Sequence, residues 1–320
     1  MGSSSSPSAL TTPGKVQNRL NTIGQQLPLP ISNRPMPQLM RQLHMLDVFL
    51  DRLARSPHQQ QFILGGGLFL FKLTLAGSGH LRPTQDADFV CLLHNDPQTL
   101  RGALVDIVTT TAGVSRLVAD FVDFDPTAIT IQPIMGNAPQ GGQRALLPAA
   151  LGAGQEKVSL DLAFGASLVP GPYLRNVPTI LDTTVTIPTW TAPLEVIMAG
   201  KVVSFLKHGA GNTRYKDYFD LWSLATTQDF SGDRVQDTLV TAAQKEGIPL
   251  DPQAVVLADP GFPLDPTQLQ QWQSYLTREG LASRAPTFAE SIAVVRVFYA
   301  PVVAGAVHSK IWRYVSRQWL

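Results

Sequence analysis

Residues 82 to 89, Arg82-Pro83-Thr84-Gln85-Asp86-Ala87-Asp88-Phe89, carry two carboxylates two positions apart and run on into the apolar Val90, Cys91, Leu92 and Leu93. The apolar continuation reads as a strand. Alternate side chains of a strand share a side, so Asp86 and Asp88 project together while Ala87 faces the other way. Carboxylates this close repel one another and are costly to bury unless a divalent cation lies between them. Magnesium suits the pair, with manganese as a possible substitute, because a hard cation takes oxygen ligands from one or two carboxylates and from substrate phosphates. Upstream stands the triplet Gly65-Gly66-Gly67. A glycine turn that opens a helix lets backbone N–H groups approach phosphate oxygens. Read singly, a D-x-D fits two solvated residues and a glycine triplet fits a plain turn. Their order points to a phosphoryl-transfer site: apolar segment, glycines, apolar helix, the short loop Gly77-Ser78-Gly79, then the carboxylate strand.

A third carboxylate lies in the run from Lys157 to Gly165, where Leu160 and Leu162 flank Asp161, and Asp161 shares its face with Ser159 and Ala163. An ionisable group on so small a face meets solvent, a partner or a cation. A neighbouring strand bearing Asp86 and Asp88 would supply the cation; an ordinary exposed Asp is the alternative. Farther on, Leu194, Ile197, Met198, Val202, Phe205 and Leu206 recur at helical spacing, with Lys201 at the border of the stripe. In the next segment Tyr215, Tyr218, Phe219 and Trp222 alternate with Arg214, Lys216, Asp217 and Asp220. Asp217 can anchor Lys201 or Arg214 by a charge-assisted bond, and Asp220 can cap or bond nearby backbone. A snorkelling surface lysine and a simple intrahelical salt-bridge pattern are the plainer readings.

These blocks resemble a known family. Leu64 to Phe89 is similar to the first motif of the DNA polymerase β-like nucleotidyltransferase superfamily, specifically of the AbiEii/AbiGii toxin nucleotidyltransferases. Asp161-Leu162-Ala163-Phe164-Gly165 resembles the family's third-carboxylate strand. The segment from Pro193 through Lys201 to Asn212-Thr213-Arg214-Tyr215-Lys216-Asp217-Tyr218-Phe219-Asp220-Leu221 resembles its helix lysine and the Asn-Ser-Arg-x-Lys-Asp-x-Tyr-Asp-Leu block. The chain departs from the pattern at Gly65, where a lysine is common, at Gly200, where a glutamate often stands, and at Ala166 in place of an Asp. The resemblance implies an α+β fold, a mixed-sheet nucleotidyltransferase core followed by a helical C-terminal domain. It implies magnesium at Asp86, Asp88 and Asp161, with Lys201 and Asp217 completing the catalytic set. Gly66, Gly67, Arg82, Thr84, Lys201, Arg214 and Lys216 would hold the nucleoside triphosphate. It further implies a cytoplasmic toxin with a cognate antitoxin, moving a nucleoside monophosphate onto an acceptor hydroxyl, in relatives the 3′ end of tRNA. A small-molecule nucleotidyltransferase of the antibiotic-modifying kind, a kinase-like protein phosphorylation and a non-catalytic nucleotide-binding protein are the alternatives.

With 320 residues the chain exceeds an ordinary single domain, and a hydrophobic content of 44% is enough for a sizeable core. Its charge of +1, from 25 basic and 24 acidic residues, gives no global field for nucleic acid, so any RNA contact is local. Lys201, Lys207, His208, Arg214 and Lys216 cluster for that purpose; Lys310, Arg313 and Arg317 recur at helical spacing and read as a solvated helix face. Cys91 is the single cysteine, which excludes an intramolecular disulfide. No run approaches the length of a membrane span. Composition marks residues 1–34 as a flexible leader with room to pack in part against the body, and the nucleotidyltransferase resemblance implies a catalytic domain over 35–190 and a helical domain over 191–320. Helices are expected over 37–55 and 97–110, strands over 117–124 and 128–134, and a loop or hairpin edge over 136–155 before the Asp161 strand. Further helices are expected near 193–208, 214–226, 232–246, 266–279, 286–299 and 303–317.

Overall fold

The computed structural model of the chain describes residues 10–27, 35–77, 80, 82, 84–134, 141–166, 168–208, 213–250 and 266–320. Ser78, Gly79, Pro83 and Asn212 lie outside the described residues. The chain divides into two units, one drawn from Met1–Gly77, Leu81–Ala166 and Tyr173–Thr191, the other from Ser78–His80, Ser167–Pro172 and Ala192–Leu320.

The first unit runs α1 (Pro13–Gln26), α2 (Met36–Arg55), β1 (Phe62–Gly65), α3 (Gly66–Leu75), β2 (Asp86–Cys91), α4 (Pro97–Val108), β3 (Val122–Phe124), β4 (Thr130–Ile134), β5 (Gly142–Leu151), β6 (Gly154–Phe164), β7 (Tyr173–Pro178) and β8 (Thr186–Thr191). Its mixed sheet has the order β3-β5-β6-β2-β1-β8-β7, with β4 also on the outer edge of β5. β2 is parallel to β6 and antiparallel to β1. The apolar stripe of α2, Leu39, Leu43, Leu46, Leu50 and Leu53, is buried as its spacing requires. Ala87, Phe89 and Cys91 of β2 and Val158, Leu160, Leu162 and Phe164 of β6 enter the core, leaving the alternate, polar-bearing positions on the other face. Burial pushes the Cys91 thiol up to about 11, so it packs as a small hydrophobe.

Three expectations change here. The presumed flexible leader contains α1: the Thr12 hydroxyl accepts from Lys15 N at 3.3 Å, Pro13 opens the first turn, and Val16 and Leu20 are buried in a helix that packs on α2. One cap and two apolar residues a turn apart suffice where a partner helix covers them. The run 117–124 is a strand only from Val122, because Asp51 of α2 accepts from Ser115 Oγ at 3.0 Å and Arg116 N at 3.1 Å and ties the preceding chain to that helix. The stretch 136–155, expected as loop or hairpin edge, is strand β5 from Gly142 onward. Pro148 fits within it because it falls between the parts of β5 paired with β4 and β3, where no donor is required. The β5–β6 hairpin turns on Gly152-Ala153, and Gly152 takes the positive φ of 60° that such two-residue turns need.

Beneath the sheet, Asp47 of α2 and Lys72 of α3 form an ion pair with both side chains fully buried. Asp47 Oδ2 also accepts from Ile180 N at 2.6 Å. His44 lies one turn away, buried, with neither ring nitrogen hydrogen-bonded among the described residues. Burial, reinforced by Lys72 and opposed by Asp47, lowers its pKa to about 4. The unfolded histidine protonates below about 6.5 and the folded one only below about 4, so between these values unfolding takes up a proton. Stability is therefore expected to fall as pH is lowered through this window, by up to about 3 kcal/mol in all. Urea unfolding of wild type and His44→Leu at several pH values checks it; an unchanged slope in the variant would remove His44 as the cause.

The second unit contains α5 (Leu194–His208), α6 (Tyr215–Thr227), β9 (Phe230–Ser231), α7 (Gly232–Lys245), α8 (Pro266–Arg278), α9 (Phe288–Val303), β10 (Ile311–Arg313) and β11 (Gln318–Trp319). Tyr215 and Tyr218 of α6 stack into an aromatic cluster with Trp272, Tyr275 and Phe288. The helix expected over 303–317 is absent: β10 and β11 form a hairpin that pairs with β9. Trp312 is buried and donates to Ala225 O at 2.8 Å, Trp319 donates to Phe298 O at 2.9 Å, and Ser309 and Arg317 take positive φ that no helix accommodates. Lys310, Arg313 and Arg317 therefore share no helical face. Among the described residues no helix is long and apolar enough to cross a membrane.

Candidate active site

In the first unit the register of three strands brings the predicted residues together. Gly65, the last residue of β1, pairs with Asp88, and Asp88 pairs on its other side with Asp161 of β6. Neighbouring strands lie about 4.8 Å apart, so Asp88 and Asp161 stand side by side, with Asp86 one pleat along, opposite Ser159. The chain then turns sharply at Gly66, φ 56°, into α3. A Cβ on Gly66 would fall 1.8 Å from Asp88 Oδ2, so only glycine allows the turn and the carboxylate to coexist. Gly67 N donates to Asp88 Oδ2 at 3.1 Å. The amide expected to meet phosphate is thus directed at a metal-candidate carboxylate, which the positive end of α3 favours. A Cβ on Gly67 would lie 2.9 Å from both Arg82 Nη2 and Thr84 Oγ1, which places those two predicted residues against the same turn. Thr84 Oγ1 donates to Asp86 O at 3.3 Å and so ties the entry of β2 to itself.

Arg144 was missed in the sequence, because residues 136–155 read as a loop or hairpin edge and not as a strand with a site-facing side. It faces Asp161 across the β5–β6 ladder. Its Nε and Nη2 donate to Asp161 Oδ1 and Oδ2, both at 2.7 Å. The hydrogen bond to Asp161 and the charges of Asp161, Asp86 and Asp88 outweigh partial burial and raise its already high pKa further. The Asp86 carboxylate makes no hydrogen bond or ion pair among the described residues and, with Arg144, Ser159 and Gln85, Asp86 lines a cavity of about 880 Å³.

No three His, Cys, Asp or Glu side chains form a metal-binding group among the described residues. The donor chemistry still fits a hard cation at Asp86 and Asp88, two oxygen ligands on one strand face beside a cavity, a set that leaves further positions for water and phosphate. Asp161, in contrast, has both oxygens engaged by Arg144.

The second unit holds the other predicted residues. Lys201 Nζ lies 2.7 Å from Asp217 Oδ1 and 2.7 Å from Asp220 Oδ2, and Arg214 Nε donates to Asp217 Oδ2 at 2.7 Å. Asp217 thus serves both cations, and Asp220 also pairs with Lys201. Burial alone would raise the Asp217 carboxyl; Lys201 and Arg214 overcome it and hold the group below the usual carboxylate range. Lys216 is exposed and makes no ion pair among the described residues.

Residues 48–294 match the profile of a family described as nucleotidyl transferase AbiEii toxin, type IV toxin–antitoxin system. The chain belongs to the AbiEii family. It is accordingly a toxin-type nucleotidyltransferase. No curated protein matches the sequence. Among solved structures, the AbiEii chain is similar to JHP933 from Helicobacter pylori, at 14% identity and a TM-score of 0.46 over 84% of this chain and 93% of that one. It is also similar to MenT4, a nucleotidyltransferase toxin from Mycobacterium tuberculosis H37Rv, at 12% identity and a TM-score of 0.48 over 94% and 99% of the two chains. Both scores fall below 0.5, and family membership rests on the 48–294 match.

Proposed function

We propose that this AbiEii protein is a cytoplasmic toxin, countered by an antitoxin, that uses magnesium or manganese to transfer a nucleoside monophosphate from a nucleoside triphosphate to a hydroxyl of RNA, with tRNA 3′ ends as the acceptor. Residues 35–190 carry the catalytic role and 191–320 the helical one. The observation that carries this reading is the strand register setting Asp88 beside Asp161, with Asp86 one pleat along, next to the glycine-led helix α3. Asp86 and Asp88 are the residues that would hold the cation, which supplies counter-charge for the triphosphate. Gly66 and Gly67 bring backbone close to the site, with Arg82 and Thr84 at their side. Lys201 and Arg214 are assigned to phosphate charge, and Asp217 holds both in place. The acceptor oxygen bonds to the α-phosphorus, the bond from that phosphorus to the bridging oxygen breaks, and pyrophosphate leaves. The hydroxyl proton passes to a carboxylate of this face.

A second reading, transfer to a small molecule, draws on the cavity beside Asp86. Asp86, Asp123, Asp125 and Glu156 outnumber Arg144 and Lys157 in its lining, which suits a neutral or cationic acceptor. Incubation with each α-labelled ribonucleoside triphosphate and total cellular RNA, then with candidate small molecules, separates the two. Label in a tRNA-sized band is expected; label only on a small molecule rejects the RNA acceptor, and no label on anything rejects the activity.

A further inference from the structure

We propose that Arg144 grips the phosphoryl group being transferred, and that Asp161 positions Arg144 instead of ligating the cation. The inference rests on the nucleotidyl-transfer reading and assigns a residue that the sequence did not single out.

The two-point pair with Asp161 fixes the plane of the guanidinium. Nε and Nη2 meet Oδ1 and Oδ2 at 2.7 Å each, the fork geometry in which arginine holds a carboxylate most rigidly. A guanidinium carries five N–H groups. Two go to Asp161, and the others make no hydrogen bond among the described residues. They belong to a side chain 36% exposed that lines the same cavity as Asp86. A two-point pair of this geometry holds more firmly than most surface ion pairs, and it fixes the outer edge of the guanidinium in one orientation. What it offers the cavity is a planar set of cationic donors, held still, at the edge of the face that carries Asp86 and Asp88. A phosphoryl group with two non-bridging oxygens matches that edge.

Asp161 fits this role better than that of a ligand. Its oxygens are already engaged, and among the described residues it forms no three-membered metal-binding group with Asp86 and Asp88. Its charge also compensates Arg144, so a guanidinium and a divalent cation can stand close together without mutual repulsion dominating.

The experiment compares wild type, Asp161→Asn, Asp88→Asn, Arg144→Ala, Arg144→Lys and the Arg144→Ala/Asp161→Asn double variant. Manganese binding is followed by its paramagnetic resonance signal, and binding of the four α,β-methylene ribonucleoside triphosphates by calorimetry, with thermal melts confirming folding. Asp161→Asn is expected to keep manganese affinity within about threefold, while Asp88→Asn weakens it by about tenfold or more. Arg144→Ala and Asp161→Asn should each weaken the manganese–analogue complex by about tenfold, and the double variant should be no weaker than Arg144→Ala alone. Arg144→Lys, with charge but no fork, should recover only part of the loss. The proposal is overturned if Asp161→Asn loses manganese as Asp88→Asn does, or if Arg144→Ala binds the analogue like wild type. A wild type that binds metal and analogue but labels no acceptor defeats the functional reading alone; one that binds neither defeats both.

Discussion

Asp88→Asn is expected to lower nucleotide transfer by about 10²–10³-fold while leaving the protein folded. Asparagine has nearly the shape of aspartate, and its carbonyl oxygen can still accept the Gly67 N–H that Asp88 Oδ2 accepts at 3.1 Å. The glycine turn therefore keeps its partner. What disappears is one of two negative charges on the Asp86–Asp88 face, and a hard cation held by one or two carboxylates depends on them directly. The substitution thus separates two roles for the same side chain. If Asp88 did no more than hold the start of α3, the variant would transfer nucleotide within about threefold of wild type, since a neutral acceptor serves that bond nearly as well. Single-turnover incorporation of α-labelled triphosphate measures the first role, and the melting temperature the second.

Lys72→Met is the largest expected effect on stability, a loss of about 3–5 kcal/mol by urea unfolding. Lys72 and Asp47 are both fully buried, and removing the cation leaves a carboxylate in the core with the Ile180 amide as its remaining hydrogen-bond donor among the described residues. Methionine fills much the same volume, so the loss reports the stranded charge and little else. Removing both, as Lys72→Met with Asp47→Leu, should recover most of the stability. About 1–3 kcal/mol should remain missing, because the Ile180 N–H then has no acceptor. A single variant within about 1 kcal/mol of wild type would mean that water or a rearrangement reaches Asp47, contrary to its burial.

The strand that carries Asp86 and Asp88 was legible because its signals agree with one another. Period-two alternation in β2 and β6 gives both the strand and the face of its carboxylates, and Gly66 in the glycine triplet marks a conformation that side chains forbid. The helices of the second unit were legible from apolar spacing. Arg144 was not, because its strand is built from alanine, leucine and proline, and its pairing partners lie more than ten residues away in sequence. Local composition there says loop; the ladder with β6 overrides it. At the other end, Lys310, Arg313 and Arg317 repeat at a helical interval by coincidence. The informative residues were Trp312 and Trp319, whose indoles bond backbone carbonyls far back in the chain, a tertiary fact with no local trace. In the leader, Thr12-Pro13 was a readable helix start that serine-rich surroundings concealed.

Helix α3 is short, ten residues, and fastened near both ends: Gly67 to Asp88 at its start, Lys72 to Asp47 a turn and a half later. Backbone so clamped has little freedom left to surrender, so a ligand arriving at the turn would meet a finished mould, and the entropy of ordering it has been settled during folding. Loosening the deep clamp should therefore be felt as weaker ligand affinity even where the surface of the site is untouched.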